Sequence, residues 1–361
     1  MARKINKKKF IFVVTTISMF ISFSYFKIIN SNKIEEVNNQ TIIKNSNDKI
    51  INEIENKSIK ISFAGDVTMG NYKGSSYYGT FDNEFENQGQ NYEYFFKNVK
   101  SIFEEDDLTI VNLEGPLTTS KNAKVKKFAF KGDPSYVNIL KLGDIEAVTL
   151  SNNHSEDYFD EGIKDTKFVL DENSINYFGL GEVSKIDLDG IKIGLLGYNG
   201  WPENYNAEFI SNMESDIKKL KNETDVVITY FHWGTERKYY PDQVQIDFAY
   251  KAIDSGADAV IGSHPHVIQG IEKYKDKYIA YSLGNFCFGG NKNPADKDSL
   301  IYQLTFNFEN NKLVGINEPN IIPCSISSDQ NRNNYQPTPT TGLESERIIN
   351  KLKDISKSLN I

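Results

Sequence analysis

Six short apolar runs, each closing on a residue able to bind a metal or move a proton, constrain this chain more than any other feature. IKISFA runs into Gly65-Asp66, LTIVNL into Glu114, and IEAVTL into Ser151-Asn152-Asn153-His154. DVVITYF runs into His232-Trp233-Gly234, ADAVIG into Ser263-His264-Pro265-His266, and YIAYSL into Gly284-Asn285-Phe286. Runs of this length, many with β-branched residues and with helical patterns between several of them, predict strands of an α/β or layered sandwich domain. Sites in such sheets form where the carboxyl ends of strands meet. The chain has 4 histidines, His154, His232, His264 and His266, and each falls at such an end. Imidazoles placed for solubility or core packing would not all collect there, so the pattern predicts one shared site.

Asp66, Glu114, Asn153, His232, His264 and His266 offer hard oxygen and borderline nitrogen donors and no thiolate. That mixture suits a divalent metal such as Mn, Zn, Fe or Ni. Six ligands exceed what one zinc needs. They suffice for two ions sharing a carboxylate. His154 follows its asparagine directly and is the candidate catalytic imidazole, placed to protonate a leaving group or hold a substrate oxygen. In an extended segment residues i and i+2 point the same way, so His264 and His266 are expected to face one centre from strand-like backbone. Gly65, Gly115, Gly234, Gly262 and Gly284 suit tight turns after strands. Trp233 reads as a packing wall. Glu236 either pairs with Arg237 at the surface or enters the site, and Asn285 either orders its turn or lines the pocket; both are candidate substrate contacts.

The net charge is −8, and five cations lie within the first nine residues (Arg3, Lys4, Lys7, Lys8 and Lys9), so the remainder carries −13. A domain that acidic is a poor general partner for nucleic acid. Residues 10–26 (FIFVVTTISMFISFSYF) are free of charge and closed by Lys27. They read as a single-pass signal anchor, with residues 1–9 in the cytoplasm and the rest outside. A cleaved signal peptide is the rival, but no A-x-A site follows. Residues 30–57 read as a linker and residues 58–361 as one extracytoplasmic domain with a C-terminal helix. Two cysteines, Cys287 and Cys324, are too few for a disulfide framework; they read as buried small residues, with a single bridge left open.

The motifs Ala64-Gly65-Asp66-Val67-Thr68, Asn112-Leu113-Glu114-Gly115-Pro116-Leu117, Leu150-Ser151-Asn152-Asn153-His154, His232-Trp233-Gly234-Thr235-Glu236, Gly262-Ser263-His264-Pro265-His266-Val267 and Ser282-Leu283-Gly284-Asn285-Phe286 occur in this order. With Gln336-Pro337-Thr338-Pro339 near the end, the chain from about residue 58 to 360 resembles the bacterial CapA-type capsule proteins. The resemblance implies a calcineurin-like metallophosphoesterase architecture, a four-layer α/β/β/α sandwich. It implies a membrane-anchored role in making or exporting poly-γ-glutamate, beside a capsule synthetase and small membrane subunits. It also implies that Asp66 and His266 hold a first metal, that Glu114 bridges, and that Asn153, His232 and His264 hold a second. His154 would then face substrate. Typical phosphoesterases carry D-x-H on the first strand, whereas the third position here is Thr68 and the bridging residue is a glutamate. The second ion is therefore expected to be the tighter one, and hydrolysis stays an open alternative, as does a scaffold with a vestigial site. The segment SKNAKVKKFAFKG interrupts the acidic domain with Lys121, Lys124, Lys126, Lys127 and Lys131. An anionic polymer would need a local basic path, which makes Lys124, Lys126 and Lys127 its candidate contacts.

Overall fold

A computed structural model describes residues 55–359. The expected anchor at 10–26 and most of the linker at 30–57 lie outside these residues. No helix among the described residues is long and apolar enough to cross a membrane.

All six apolar runs are strands. The strands that build and frame the site are β1 (Asn56–Thr68), β2 (Leu108–Leu113), β3 (Ala147–Thr149), β4 (Ile191–Gly200), β5 (Val226–Trp233), β6 (Ala259–Ser263), β7 (Lys277–Ala280), β8 (Asn285–Phe288) and β9 (Asp298–Glu309). The principal helices are α1 (Phe159–Glu172), α2 (Ala207–Lys221), α3 (Gln243–Ser255) and α4 (Gly342–Ser356). The expected domain boundary at Ser58 falls inside β1. The strand opens at Asn56 because Asn56 and Lys57 already pair with Glu309 and Phe308 of β9.

Two sheets carry the fold. In the nine-stranded sheet β1 is central, parallel to β2 and β8 and antiparallel to β9, and β2 is parallel to β3. In the six-stranded sheet β4, β5, β6 and β7 run parallel in that order. Strands covered on both faces need apolar residues throughout, and every residue of β2 and β5 is buried accordingly. Ile61, Phe63 and Ile110 of the first sheet meet Ile193, Ile228 and Ile261 of the second in one inner core. Helix α1 covers the outer face of the first sheet through Leu170, and α2 and α3 cover the second through Ile217 and Phe248. The order of layers is thus helix, sheet, sheet, helix. Helix α3 shows how local sequence sets the frame: Asp242 and Gln245 form a reciprocal capping box, and Gly256 ends the helix at φ 115°.

Cys287 and Cys324 are buried as free thiols in the outer core of the first sheet.

Candidate metal centre

The parallel strands of both sheets deliver their carboxyl ends to one place. At the end of β1 the chain passes so close to the loop before β8 that a Cβ on Gly65 would lie 1.8 Å from the Gly284 carbonyl oxygen. Only glycine fits, and the Asp66 N–H then donates to that same oxygen at 3.0 Å. This contact fixes Asp66 at the sheet edge.

Glu114 is the hub. Its Oε1 is buried and accepts no hydrogen bond among the described residues. It lies 3.9 Å from His154 Nε2, 3.9 Å from His232 Nε2 and 4.0 Å from His266 Nε2. On one side His266 Nδ1 sits 3.1 Å from Asp66 Oδ2. On the other, His232 Nε2 is 2.9 Å from Asn153 Oδ1 and 3.2 Å from His264 Nδ1. The six predicted ligands are thus brought together in the two predicted groups. Thr68 does not take the place of the missing imidazole; its hydroxyl donates to Glu114 Oε2 at 3.2 Å and orients the hub.

The backbone of the His264-Pro265-His266 segment differs from the extended one expected. His264 has φ 99° and His266 has φ 56°, both in the left-handed region. The rings reach the centre through a strained bend, not through strand alternation. Such conformations cost about 1–3 kcal/mol each and persist only where surrounding contacts fix them. Here Asn285 is one such contact, with Oδ1 2.9 Å from His266 Nδ1 and Nδ2 donating to the His266 carbonyl at 3.3 Å. Asn285 also lines the cleft, so both readings of this residue hold.

Several supporting residues escaped the sequence reading. Asn112 donates to Asp66 Oδ1 at 2.8 Å and accepts from Asn152 at 3.0 Å. Its position two residues before Glu114 on one strand was an available signal. Ser263 Oγ lies 2.9 Å from His232 Nδ1. Asp157 Oδ2 lies 2.7 Å from His154 Nδ1 and turns the Nε2 of that ring toward Glu114. Trp201 stands edge-on to the rings of His232 and His264, at 5.7 and 4.7 Å, and nothing in the sequence marks it. Trp233 is fully buried, with its indole N–H donating to the Tyr281 carbonyl.

The three lysines put forward for polymer contact already have partners. Lys124 pairs with Glu156, and Lys127 lies over the Phe128 ring at 4.9 Å. Lys126 pairs with the buried Asp157, donates to the Asn153 carbonyl at 3.0 Å and sits 3.2 Å from His154 Nδ1. Lys126 therefore buttresses the candidate catalytic imidazole. Glu236 and Arg237 both line the cleft.

Burial, and then the Asp66 charge, push Glu114 up to about 8. Burial alone would lower His266, but Glu114 and Asp66 outweigh it and hold the ring protonated, up to about 9. Burial, then the charge of His266, drives His264 down to about 3, and His232 is driven down by burial and the surrounding imidazoles. Burial also lowers His154, against the pull of Asp157. Two buried carboxylates, each with one oxygen that accepts no hydrogen bond among the described residues (Asp66 Oδ2 and Glu114 Oε1), beside four imidazoles form a donor set that fits divalent cations. Asp66, Glu114 and His266 each present an atom, all within 4.8 Å of one another.

A cleft of about 850 Å³ opens onto this centre past His154, His266 and Asn285. His232 and His264 do not line it.

Fold and site define an α/β sandwich protein with a carboxylate–imidazole centre at the carboxyl ends of its strands. Residues 60–290 match the family described as bacterial capsule synthesis protein PGA_cap, and the chain belongs to that family. It is 30% identical to the PGA biosynthesis protein CapA of Bacillus subtilis over 64% of this chain and 63% of that protein. It is 28% identical to the capsule biosynthesis protein CapA of Bacillus anthracis over 84% of this chain and 75% of that one. Among solved structures, a hypothetical protein from Thermus thermophilus superposes with TM-score 0.46 at 15% identity, over 73% of this chain and 99% of the other. A purple acid phosphatase from yellow lupin superposes with TM-score 0.34 at 11% identity, over 80% of this chain and 57% of the other.

Proposed function

We propose that this chain serves the making or export of an anionic capsule polymer of the poly-γ-glutamate type. Its folded domain lies outside the cell on an N-terminal anchor, and its cleft presents polymer to a centre of divalent cations in a calcineurin-like phosphoesterase architecture. A capsule synthetase and small membrane subunits are the proposed partners.

The observation that carries this reading is Glu114 Oε1, buried, without a donor, and ringed by three imidazole nitrogens. Leaving a buried carboxylate oxygen unpaired costs a few kcal/mol, and a cation removes that cost. Asp66, Glu114 and His266 would hold one ion of Mn, Zn or Fe; Asn153, His232 and His264, with Glu114 shared, would hold another. Bound there, such ions supply Lewis acidity toward a substrate oxygen and acidify water. The chain's own groups do the rest. Asp157 and Lys126 fix the His154 ring, so Nε2 is the atom that exchanges a proton with a substrate facing the cleft. Asn285 holds His266 in its strained bend. Thr68 and Asn112 keep Glu114 and Asp66 aimed inward. The orientation of His154 toward the cleft favours a hydrolytic step on the polymer as a second reading, over a scaffold that only binds.

The test is elemental analysis of protein purified without chelator and then supplied with Mn, Zn and Fe in turn. Wild type is expected to hold metal. His264→Ala should strip most of it and Asp66→Ala less, because Thr68 leaves the Asp66 side short of one imidazole. Wild type that holds none of the three, or His264→Ala that holds as much as wild type, overturns the assignment.

A further inference from the structure

Arg237 stands in the cleft with no carboxylate paired to it among the described residues. The lining holds four cations and four carboxylates, so pairing decides which charges are left for a ligand. Arg347 is taken by Asp298 and Glu344, and Lys351 by Asp296 and Asp298. Lys297 donates to the Gln330 carbonyl at 2.7 Å, a contact that leaves its charge unbalanced. Arg237 enters no ion pair among the described residues, although Glu236 precedes it in the chain.

The guanidinium is mounted on a built loop. Arg237 has φ 61°, in the left-handed region that a long side chain rarely adopts. Its N–H donates to the Pro265 carbonyl at 2.7 Å, and Gln269 Nε2 donates to the Lys238 carbonyl at 2.9 Å. The Tyr239 hydroxyl donates to Asp296 at 2.8 Å. Pro265 lies between the two candidate ligand histidines, so Arg237 hangs from the same bend that carries His264 and His266. Strain at an exposed arginine, held by three anchors beside a reaction centre, is the arrangement expected of a positioned binding group.

We infer that Arg237, with Lys297 as a second cation, is an anion-reading site of the cleft that takes a carboxylate of the substrate chain while a neighbouring unit lies against His154 and His266. The planar fork of arginine matches a carboxylate with two parallel hydrogen bonds. The inference rests on the proposal that the cleft receives a polyanionic polymer, and it names the group that recognises it.

The experiment is calorimetric titration of the full-length protein, in detergent and loaded with Mn, with γ-linked glutamate oligomers. The proteins compared are wild type, Arg237→Gln, Arg237→Lys and the remote surface variant Lys141→Gln, with bound Mn measured in each. Arg237→Gln should weaken binding about tenfold, the loss of one charge-assisted contact at a solvated site. Arg237→Lys should fall between, Lys141→Gln should match wild type, and Mn content should not change. Binding by wild type with equal binding by Arg237→Gln overturns the role of Arg237 and leaves the polymer reading standing. Equal weakening by Lys141→Gln reduces the effect to bulk charge and overturns it as well. Loss of Mn from Arg237→Gln assigns the effect to the centre and also overturns it. No oligomer binding by wild type overturns both readings.

Discussion

At the scale of single residues, the centre sets a proton-holding pair, Glu114 and His266, beside imidazoles that burial keeps neutral, His232 and His264. Glu114 and His266 are both raised and lie 4.0 Å apart, so the pair retains a proton at neutral pH in the ion-free protein. A metal ligand must be deprotonated. Cation binding should therefore release protons at neutral pH, and affinity should rise as pH climbs from about 6 toward 9. Calorimetry in two buffers of different ionisation enthalpy reads this directly; identical apparent enthalpies would show that no proton leaves. The candidate ligands were visible in the sequence because each sits where an apolar strand stops, and a polar or ionisable group there has little reason to be present except as part of a site. Lys126 was legible only as a charge. Its ion pair with Asp157 depends on how the 120–132 segment folds back over the 154–157 turn, and no periodicity records that. The bend at His264-Pro265-His266 was hidden for a similar reason: the spacing is compatible with extended backbone, and only packing against Asn285 and the Arg237 loop selects positive φ.

At the scale of elements, α4 is fastened to the start of β9 by charge. Asp298 is buried, and Arg347 and Lys351 both reach it from α4. Burial would raise this carboxyl, but the hydrogen bonds from Arg347 and Lys351 outweigh it and hold it below the ordinary 3.8. A carboxylate depressed in the folded state contributes stability that is present above its ordinary range and lost as pH falls through its folded value. Arg347→Ala should lower stability by about 1 kcal/mol near pH 7, at the low end for such a pair because the guanidinium is half exposed and Lys351 remains. The deficit should shrink as pH drops below about 4. Denaturant melts of wild type and variant across pH measure it, and a deficit independent of pH would mean that α4 is held by its apolar face alone. The six strands that lead into candidate site residues were readable, yet β4 and β9 are just as central. They carry the same apolar signal but end on no candidate ligand, so nothing in the chemistry of the chain draws attention to them.

At the scale of the whole molecule, the layers make the centre one-sided. The cleft reaches it past His154 and His266, whereas Trp201 closes the flank of His232 and His264. Chelator added to metal-loaded protein should therefore remove metal in two kinetic phases, and Trp201→Ala should accelerate the slower one. A single phase in wild type would mean that both positions exchange through the same opening. The apolar runs convey an α/β or layered sandwich and the family resemblance implies its two sheets, but neither tells which face of the centre is open, because that is set by an indole far from the candidate ligands in the chain. If both positions fill as proposed, they would keep different time: the open one would follow the medium from moment to moment, while the closed one would preserve a record of the metal present when the chain folded.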